Sequence, residues 1–244
     1  MSAFAIILAG GTGERLGGPV PKQFCEIGGR SLLALCLERF EKHDAIDGII
    51  LVCTAANMPL AEKIVQAGAF HKVRPVIPGG QTRQESSFFG VQAVPQGVKN
   101  VLIHDAARAL VPDAVISRVL EKLAGEKAVM AALPVADTVV RVDEAARVMA
   151  VLDRSKLELA QTPQGFRLEV IRQAHEMARA EGFTAASDDC SLVLRYNLAP
   201  IATVPGDPGN IKVTYAEDLK TAEALLTDRR GGASAPIIRL SWLI

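Results

Sequence analysis

The sequence lacks the marks of several large classes of protein. Its four cysteines form no C-x-x-C pair and no histidines stand at metal-ligand spacing, which disfavours a disulfide scaffold or a zinc domain. Basic and acidic residues number 27 each, so no net charge attracts nucleic acid or an anionic membrane. No apolar run could span a bilayer, and no basic secretion signal opens the chain. We expect a cytoplasmic protein with reduced, mostly buried cysteines, a small-molecule ligand, and no nucleic-acid or membrane partner.

What the chain does have is the balance of a globular protein. Apolar residues make up 49% of its 244 residues and charged residues 22%, which is enough for a sizeable core. We expect a single domain over residues 1–226. The segment that follows begins with "TDRRGGASAP", which is rich in small and polar residues, so residues 227–244 are expected to form a linker-like tail.

Apolar runs rich in branched residues alternate with helical segments along the chain. The runs that predict strands lie at residues 4–8, 48–53, 74–77, 100–103, 127–133 and 200–204. Helical periodicity appears in "SLLALCLERFEKH", "MPLAEKIVQAG", "DAVISRVLEKLAG" and "LEVIRQAHEMARAEG". This alternation predicts an α/β fold with a largely parallel sheet covered on both faces. Ligands of such sheets bind beyond the carboxyl ends of the strands, so the loops there are where function is expected.

One segment, residues 136–159, breaks this rhythm. Its stretches "TVVRV" and "RVMAVL" predict two short antiparallel strands around an acidic turn. We interpret the segment as an arm outside the core.

The first predicted strand runs into an unusually glycine-rich loop, "AGGTGERLGGPVPKQF". Leu16 stands where a dinucleotide-binding G-x-G-x-x-G needs its third glycine, and no GK[ST] follows as a P-loop requires. Exposed backbone N–H groups in such a loop suit a polyphosphate, and Arg15 and Lys22 supply positive charge. The alternative is a tight turn with two solvated basic residues, and the loop alone does not decide between them.

A second loop follows the strand in "VLIHDAAR". Asp105 at the end of this strand is a candidate Mg²⁺ ligand, or else the N-cap of the next segment. His104 is a candidate catalytic residue, or else a packed and hydrogen-bonded one. Further polar and basic residues stand beside other turns, namely Gly79, Gly80, Arg83, Ser87, Arg154, Thr162, Gln164, Asn210, Lys212 and Thr214.

Taken together, these motifs resemble the 2-C-methyl-D-erythritol 4-phosphate cytidylyltransferase family over roughly residues 4–226. The motifs that carry the resemblance are AGGTGERLG, PKQF, GGQTRQESS, VLIHDAAR, PVADT, LDR, QTPQGF, SDD and NIKVTYAEDL, in the family's order. The resemblance implies a three-layer nucleotidyltransferase (Rossmann-like) fold with a protruding β-arm. It also implies transfer of the cytidylyl group of CTP to the sugar-alcohol phosphate, with release of pyrophosphate, in isoprenoid precursor biosynthesis.

The resemblance also assigns roles to residues. It implies catalytic roles for Arg15, Lys22 and Lys212, the last also facing the acceptor phosphate. The nucleotide-binding residues it implies are Ala9, Gly10, Gly11, Gly13, Gly80, Arg83, Ser87, Asp105 and Ala106. The substrate-binding residues are Arg108, Thr138, Arg154, Thr162 and Ser187. Asp105 and Asn210 would neighbour the Mg²⁺ cofactor, and the arm would bring Arg154 across the interface of a homodimer.

The chain departs from the family pattern at three positions. Gly10 replaces a frequent alanine, Ala109 a usual proline, and Ser187 a usual threonine. The last two lie near the expected acceptor side, so ribitol-5-phosphate cytidylyltransferase is the first alternative. A CTP-binding regulatory module without turnover is the second, and retention of Arg15, Lys22 and Asp105 argues against it. A dinucleotide-dependent dehydrogenase is disfavoured by the missing third glycine and by "LVCTAAN", which has no acidic residue at the end of the second strand.

Overall fold

A seven-stranded sheet forms the centre of the computed structural model, which describes residues 3–11 and 20–231. The strands of the chain are β1 Ala3–Ala9, β2 Glu26–Ile27, β3 Arg30–Ser31, β4 Ile46–Cys53, β5 Val73–Pro78, β6 Asn100–Asp105, β7 Ala128–Pro134, β8 Val140–Val142, β9 Val148–Val151, β10 Glu158–Arg167 and β11 Ala202–Pro205. The helices are α1 Leu32–Lys42, α2 Met58–Ala67, α3 Arg83–Gln92, α4 Asp113–Leu123, α5 Leu168–Glu181, α6 Asp189–Arg195 and α7 Ala216–Gly231.

The strand order of the central sheet is β11-β7-β10-β6-β1-β4-β5. All neighbours are parallel except β10, which is antiparallel to both β6 and β7. The predicted mostly parallel α/β sheet is therefore confirmed. Strand β10 differs from expectation, because its sequence "ELAQTPQGFR" carries a proline and a glycine and indicates a polar loop. Pairing with a neighbour on each side, and not local preference, makes it a strand.

Two hydrophobic clusters lie on opposite faces of this sheet. Alternate residues of β1 divide between them: Ile7 packs with Phe40 of α1, and Ile6 packs in the cluster that contains Ile171 of α5. Because successive side chains of a strand point to opposite faces, each face needs its own layer of helices. Helices α1 and α4 contribute to the first cluster, and α3, α5 and α6 to the second. The result is the expected three-layer arrangement.

Helices α3 and α6 are absent from the prediction because neither has a long apolar periodicity. Both begin with side-chain caps: Thr82 accepts from the backbone N–H of Glu85, and Asp188 accepts from that of Ser191. Such caps satisfy backbone donors that a helix start leaves unpaired. Capping signals, more than periodicity, mark these two helices in the sequence.

Helix α7 continues to Gly231, five residues beyond the predicted domain end at Leu226. Thr227 Oγ1 donates to the carbonyl of Glu223, and Arg229 donates to the carbonyl of Leu110. The second bond holds the end of the helix against the loop that follows β6, so α7 covers the start of the expected tail. Residues 232–244 of that tail lie outside the described residues.

The predicted arm is a two-stranded antiparallel ribbon formed by β8 and β9. The Asp143 carboxylate organises its turn by accepting from the backbone N–H groups of Ala145 and Arg147, each at 2.9 Å. The two strands are confirmed, and the role of the arm in a dimer stays a prediction.

The cysteines have the expected state, since all four are free and only Cys25 is partly exposed. Within the described ranges, no helix has both the length and the apolar character needed to cross a membrane.

Candidate active site

A cleft of about 370 Å³ opens at the carboxyl ends of β1 and β6. Leu8 of β1 pairs in register with Asp105 of β6, so the loops that follow the two strands leave the sheet side by side. The N-terminus of α3 closes one side. The residues that line the cleft are Leu8, Ala9, Gly10, Gly11, Lys22, Gln23, Gly80, Gln81, Thr82, Arg83, Ser86, Asp105, Ala106, Ala107 and Lys212.

The start of the glycine loop forms one wall. A Cβ placed on Gly11 would lie 3.3 Å from Cε of Lys22, so this backbone passes close to the lysine side chain. Buried Gln23 donates from Nε2 to the carbonyl of Ala9 at 2.9 Å, which ties the end of β1 to the turn carrying Lys22. Gly13 and Arg15 lie outside the described residues, and their roles stay predictions.

Asp105 joins two cations in the middle of the cleft. Its Oδ1 accepts from Arg83 Nε at 3.1 Å, and its Oδ2 accepts from Lys212 Nζ at 2.7 Å. Burial alone raises the pKa of the Asp105 carboxyl, but Arg83 and then Lys212 lower it more, so the pKa lies well below its ordinary value. The carboxylate is therefore ionised throughout the physiological range.

The cleft carries an excess of positive charge. Lys22 lies beside Lys212, since its Nζ donates to the carbonyl of Val213 at 3.4 Å. Among the described residues that line the cleft there are three cations, Lys22, Arg83 and Lys212, and one carboxylate, Asp105. A polyanion such as a nucleotide triphosphate matches this surplus of charge.

Thr162 and His104 support the carboxylate from behind. The Thr162 hydroxyl accepts from the backbone N–H of Asp105 at 3.1 Å and contacts His104 Nδ1 at 3.0 Å. Burial lowers the pKa of His104 to about 4, so its ring is neutral near pH 7. His104 is thus the packed, hydrogen-bonded residue of the two alternatives. Buried Thr162 positions the end of β6, and its expected contact with the acceptor stays a prediction.

Arg108 and Asn210 fasten the segment that carries Lys212. Arg108 Nη1 donates to the carbonyl of Asn210 at 2.8 Å, and Asn210 Nδ2 donates to the carbonyl of Thr162 at 2.8 Å. Neither residue is among those that line the described cleft, and their expected roles at the acceptor and the metal stay predictions. Asn210 Oδ1 is buried without a hydrogen-bond partner among the described residues.

The residues available for a divalent metal are few. The described ranges hold no group of three acids, histidines or cysteines placed to bind one. Asp105 is the one carboxylate on the described cleft surface, and both of its oxygens already face cations. Because Mg²⁺ commonly takes one or two carboxylates together with substrate phosphates, a single carboxylate suits a metal that would be held mainly by a bound triphosphate, and Asp105 is the residue that would hold it.

Two neighbouring serines of α3 have different surroundings. Ser86 lines the cleft, and its Oγ accepts from the backbone N–H of Gly80 at 3.1 Å. Ser87, the predicted nucleotide contact, is fully buried and donates to Asp189 Oδ1. Asp189 also accepts from Arg83 Nη1 at 2.8 Å. The sequence prediction gives Asp189 no role, and the SDD motif was the one signal that pointed to it.

Three predicted substrate residues lie away from this cleft. Thr138, Arg154 and Ser187 are all exposed, and none of them lines it. Arg154 donates to the carbonyl of Ala136 at the base of the arm. Their roles stay predictions that need either movement or a second protomer.

Comparison with known proteins gives consistent matches. The family model described as "IspD: 2-C-methyl-D-erythritol 4-phosphate cytidylyltransferase" matches residues 3–228. The 2-C-methyl-D-erythritol 4-phosphate cytidylyltransferase of Thermobifida fusca is 44% identical over 230 residues, which cover 91% of this chain and 92% of that one. The crystal structure of 4-diphosphocytidyl-2C-methyl-D-erythritol synthase from Anaerococcus prevotii is similar with a TM-score of 0.82 at 28% identity, covering 93% and 96% of the two chains. That of the Thermus thermophilus cytidylyltransferase gives a TM-score of 0.73 at 32% identity, covering 92% and 98%.

Proposed function

The chain belongs to the 2-C-methyl-D-erythritol 4-phosphate cytidylyltransferase family, and from this membership we propose how its cleft transfers the cytidylyl group of CTP to methylerythritol 4-phosphate. The products are the CDP-linked sugar alcohol and pyrophosphate, in the non-mevalonate route to isoprenoid precursors. The observation that carries the proposal is the cluster of Lys22, Arg83 and Lys212 around Asp105, at the edge of the sheet where the glycine loop begins.

The triphosphate of CTP lies along the start of the glycine loop. Backbone N–H groups after Ala9 and the ammonium of Lys22 face the phosphates, and Arg15 adds a further cation to the same loop. Gly80 and Arg83, beyond the end of β5, face the nucleoside. A side chain at Gly80 would crowd Glu85, because a Cβ there would lie 2.2 Å from its Cγ.

The reaction needs no covalent intermediate with the protein. A phosphate oxygen of the acceptor forms a bond to the α-phosphorus of CTP, while the bond from that phosphorus to the departing pyrophosphate breaks. The attacking phosphate is already ionised, so little help from a general base is required. Lys22 and Lys212 offset the repulsion between the two anions and stabilise the charge that develops on the transferred group.

Mg²⁺ belongs to this proposal as a partner of the triphosphate. Bound there, it would neutralise phosphate charge and act as a Lewis acid. Asp105 is the residue that would hold it, through a carboxylate whose two oxygens pair with Arg83 and Lys212. Asn210 supports the same region through the backbone of Thr162.

A homodimer completes the acceptor side. Several apolar side chains of the arm are exposed, among them Val148 at 61% and Val151 at 67%. Exposed apolar ribbons of this kind mark protein interfaces. Packed on a second copy, the arm would bring Thr138 and Arg154 to the acceptor phosphate of the partner's cleft.

The decisive experiment measures pyrophosphate release with CTP and Mg²⁺ and either methylerythritol 4-phosphate or ribitol 5-phosphate, with ATP and UTP in place of CTP as controls. We expect release with CTP and methylerythritol 4-phosphate alone. Release only with ribitol 5-phosphate would keep the mechanism and change the acceptor. CTP binding without release from either acceptor would overturn the proposed activity in favour of a regulatory module.

A further inference from the structure

Asp189 is a buried, charged residue that takes no part in the reaction described above. It is the first residue of α6 and has no exposed surface. Its Oδ2 accepts from Arg83 Nη1 at 2.8 Å, and its Oδ1 accepts from Ser87 and lies 3.5 Å from His175 Nε2. Burying an ionised carboxylate costs free energy unless both of its oxygens are paired. The role of Asp189 is therefore to be sought in the groups that it binds.

Arg83 is held at two edges by two different carboxylates. Nε binds Asp105 in the cleft and Nη1 binds Asp189 on the far side. A guanidinium is planar and its donors stand in a rigid fork, so two carboxylates at different edges determine both its position and the tilt of its plane. Asp105 alone would leave the group free to rotate about that single contact.

The remaining partners of Asp189 keep the carboxylate itself in place. Ser87 belongs to the same helix as Arg83, one turn further on, and His175 belongs to α5. Burial raises the pKa of the Asp189 carboxyl, but Arg83, His175 and Ser87 together lower it to about 2. Burial lowers the pKa of Arg83, but Asp189 and Asp105 together raise it above its ordinary value. The pair is thus charged at any physiological pH.

We propose that Asp189 is a positioning residue for CTP binding, which acts by fixing the orientation of the Arg83 guanidinium at the nucleoside end of the cleft. It touches neither substrate. This inference rests on the proposed function, since it takes the cleft to be the CTP site. It extends that function to α6, an element with no residue on the cleft surface.

The test compares Asp189→Asn with Asp188→Asn. Asparagine at 189 keeps the shape and removes the charge, so we expect the Kd for CTP, measured by calorimetry, to rise about tenfold or more while the KM for the acceptor changes less than about twofold. Asp188 is the adjacent acid, caps α6 and binds Gln164, and among the described residues the acids paired with Arg83 are Asp105 and Asp189. Since asparagine also caps helices well, Asp188→Asn should bind CTP like the wild type.

A second substitution distinguishes a positioning role of Asp189 from a purely structural one. The Arg83→Lys variant has no guanidinium for Asp189 to orient. Adding Asp189→Asn to this variant should therefore change the Kd for CTP less than about threefold. Equal effects of Asp189→Asn in both backgrounds, or a wild-type Kd in the single variant, would overturn the proposal. Should Asp189→Asn not fold, Asp189→Glu keeps the charge and moves the carboxylate by one methylene. Weakened CTP binding by that folded variant supports positioning, and wild-type binding contradicts it.

Wild-type turnover with CTP and methylerythritol 4-phosphate is the reference for all these variants. Its absence would count against the proposed function. Its presence, together with unchanged CTP binding by Asp189→Asn, would count against the positioning role alone.

Discussion

At the scale of single residues, the cleft depends on cations held close together by buried acceptors. Lys22 Nζ donates to the carbonyl of Val213, the residue after Lys212, and Lys212 Nζ donates to Asp105. Both ammonium groups attract an anion more strongly in a partly closed cleft than in bulk water, which screens charge. These positive charges stabilise the complex when a polyanion binds in the cleft. The first predictions therefore concern charge.

Lys22→Ala should lower kcat by roughly 10² to 10³, the range for loss of one electrostatic stabiliser of a transition state. The fold should survive, because the side chain lies at the cleft surface and leaves no core cavity. Steady-state kinetics and a thermal melt of the same sample would check both statements. Lys42→Ala, at an exposed lysine paired with Glu38, is the control that should keep wild-type kinetics. Wild-type turnover by Lys22→Ala would remove the residue from the mechanism.

Asp189 should make stability depend on pH in acid. Its pKa is about 2 in the folded protein and 3.8 ordinarily, so the unfolded chain takes up the proton first as pH falls. The stabilisation is complete above about pH 4 and is lost toward pH 2, by about 2 kcal/mol for a shift of this size. Urea unfolding at several pH values should show a shallower decline for Asp189→Asn than for the wild type. Parallel curves would mean that the carboxylate is not paired as the structure shows.

At the scale of elements, the nucleoside side of the site is set by how closely α3 packs on the sheet. Gly90 makes this approach possible, because a Cβ there would lie 2.4 Å from Cγ2 of Ile6 in β1. The first turn of the same helix carries Arg83 and Ser86 to the cleft. The position of the helix therefore determines the position of the site.

Gly90→Ala should destabilise the protein. Alanine gains up to about 1 kcal/mol of helix propensity, but overpacking costs about 1–3 kcal/mol, so the net effect is a loss. A fall of a few degrees in the melting temperature is expected for a chain of this size. Gly125→Ala, where a Cβ would meet nothing within 4 Å, is the matched control and should melt like the wild type. An unchanged or raised melting temperature for Gly90→Ala would show that α3 can move away from β1.

At the scale of the whole molecule, the exposed apolar surface of the arm is not covered by any other part of the described chain. Its apolar residues include Val140, Val142, Val148, Met149 and Val151, and all of them are exposed. A ribbon of two short strands has little stability in isolation, so a second surface to pack against is expected.

Substituting aspartate at both Val148 and Val151 should convert a dimer to a monomer in sedimentation experiments and abolish turnover. Each protomer should still fold, because both side chains are largely exposed in the single chain, although loss of the partner would lower the apparent melting temperature. Leu60→Asp, at a half-exposed position on α2, serves as the control that keeps the dimer. A wild-type chain that sediments as a fully active monomer would contradict the proposed arm contact.

Arg154→Ala tests the same arm from the side of the substrate. Because we place Arg154 at the acceptor phosphate, the substitution should raise the KM of methylerythritol 4-phosphate much more than that of CTP. Initial rates over a matrix of both substrate concentrations would separate the two. An equal rise in both constants would place the residue at the wrong ligand.

The sequence by itself determined the alternation of strands and helices, the ribbon of the arm, and the identity of the cations around the cleft. Those features follow from local periodicity, turn chemistry and motif order, all of which are written in neighbouring residues. Tertiary structure alone decided that β10 is a strand, since its proline and glycine oppose this and only two flanking strands impose it. It also decided that Ser87 faces Asp189 and that Asp105 joins Arg83 to Lys212, because these side chains come from segments separated by more than 20 residues and meet only when the sheet is assembled.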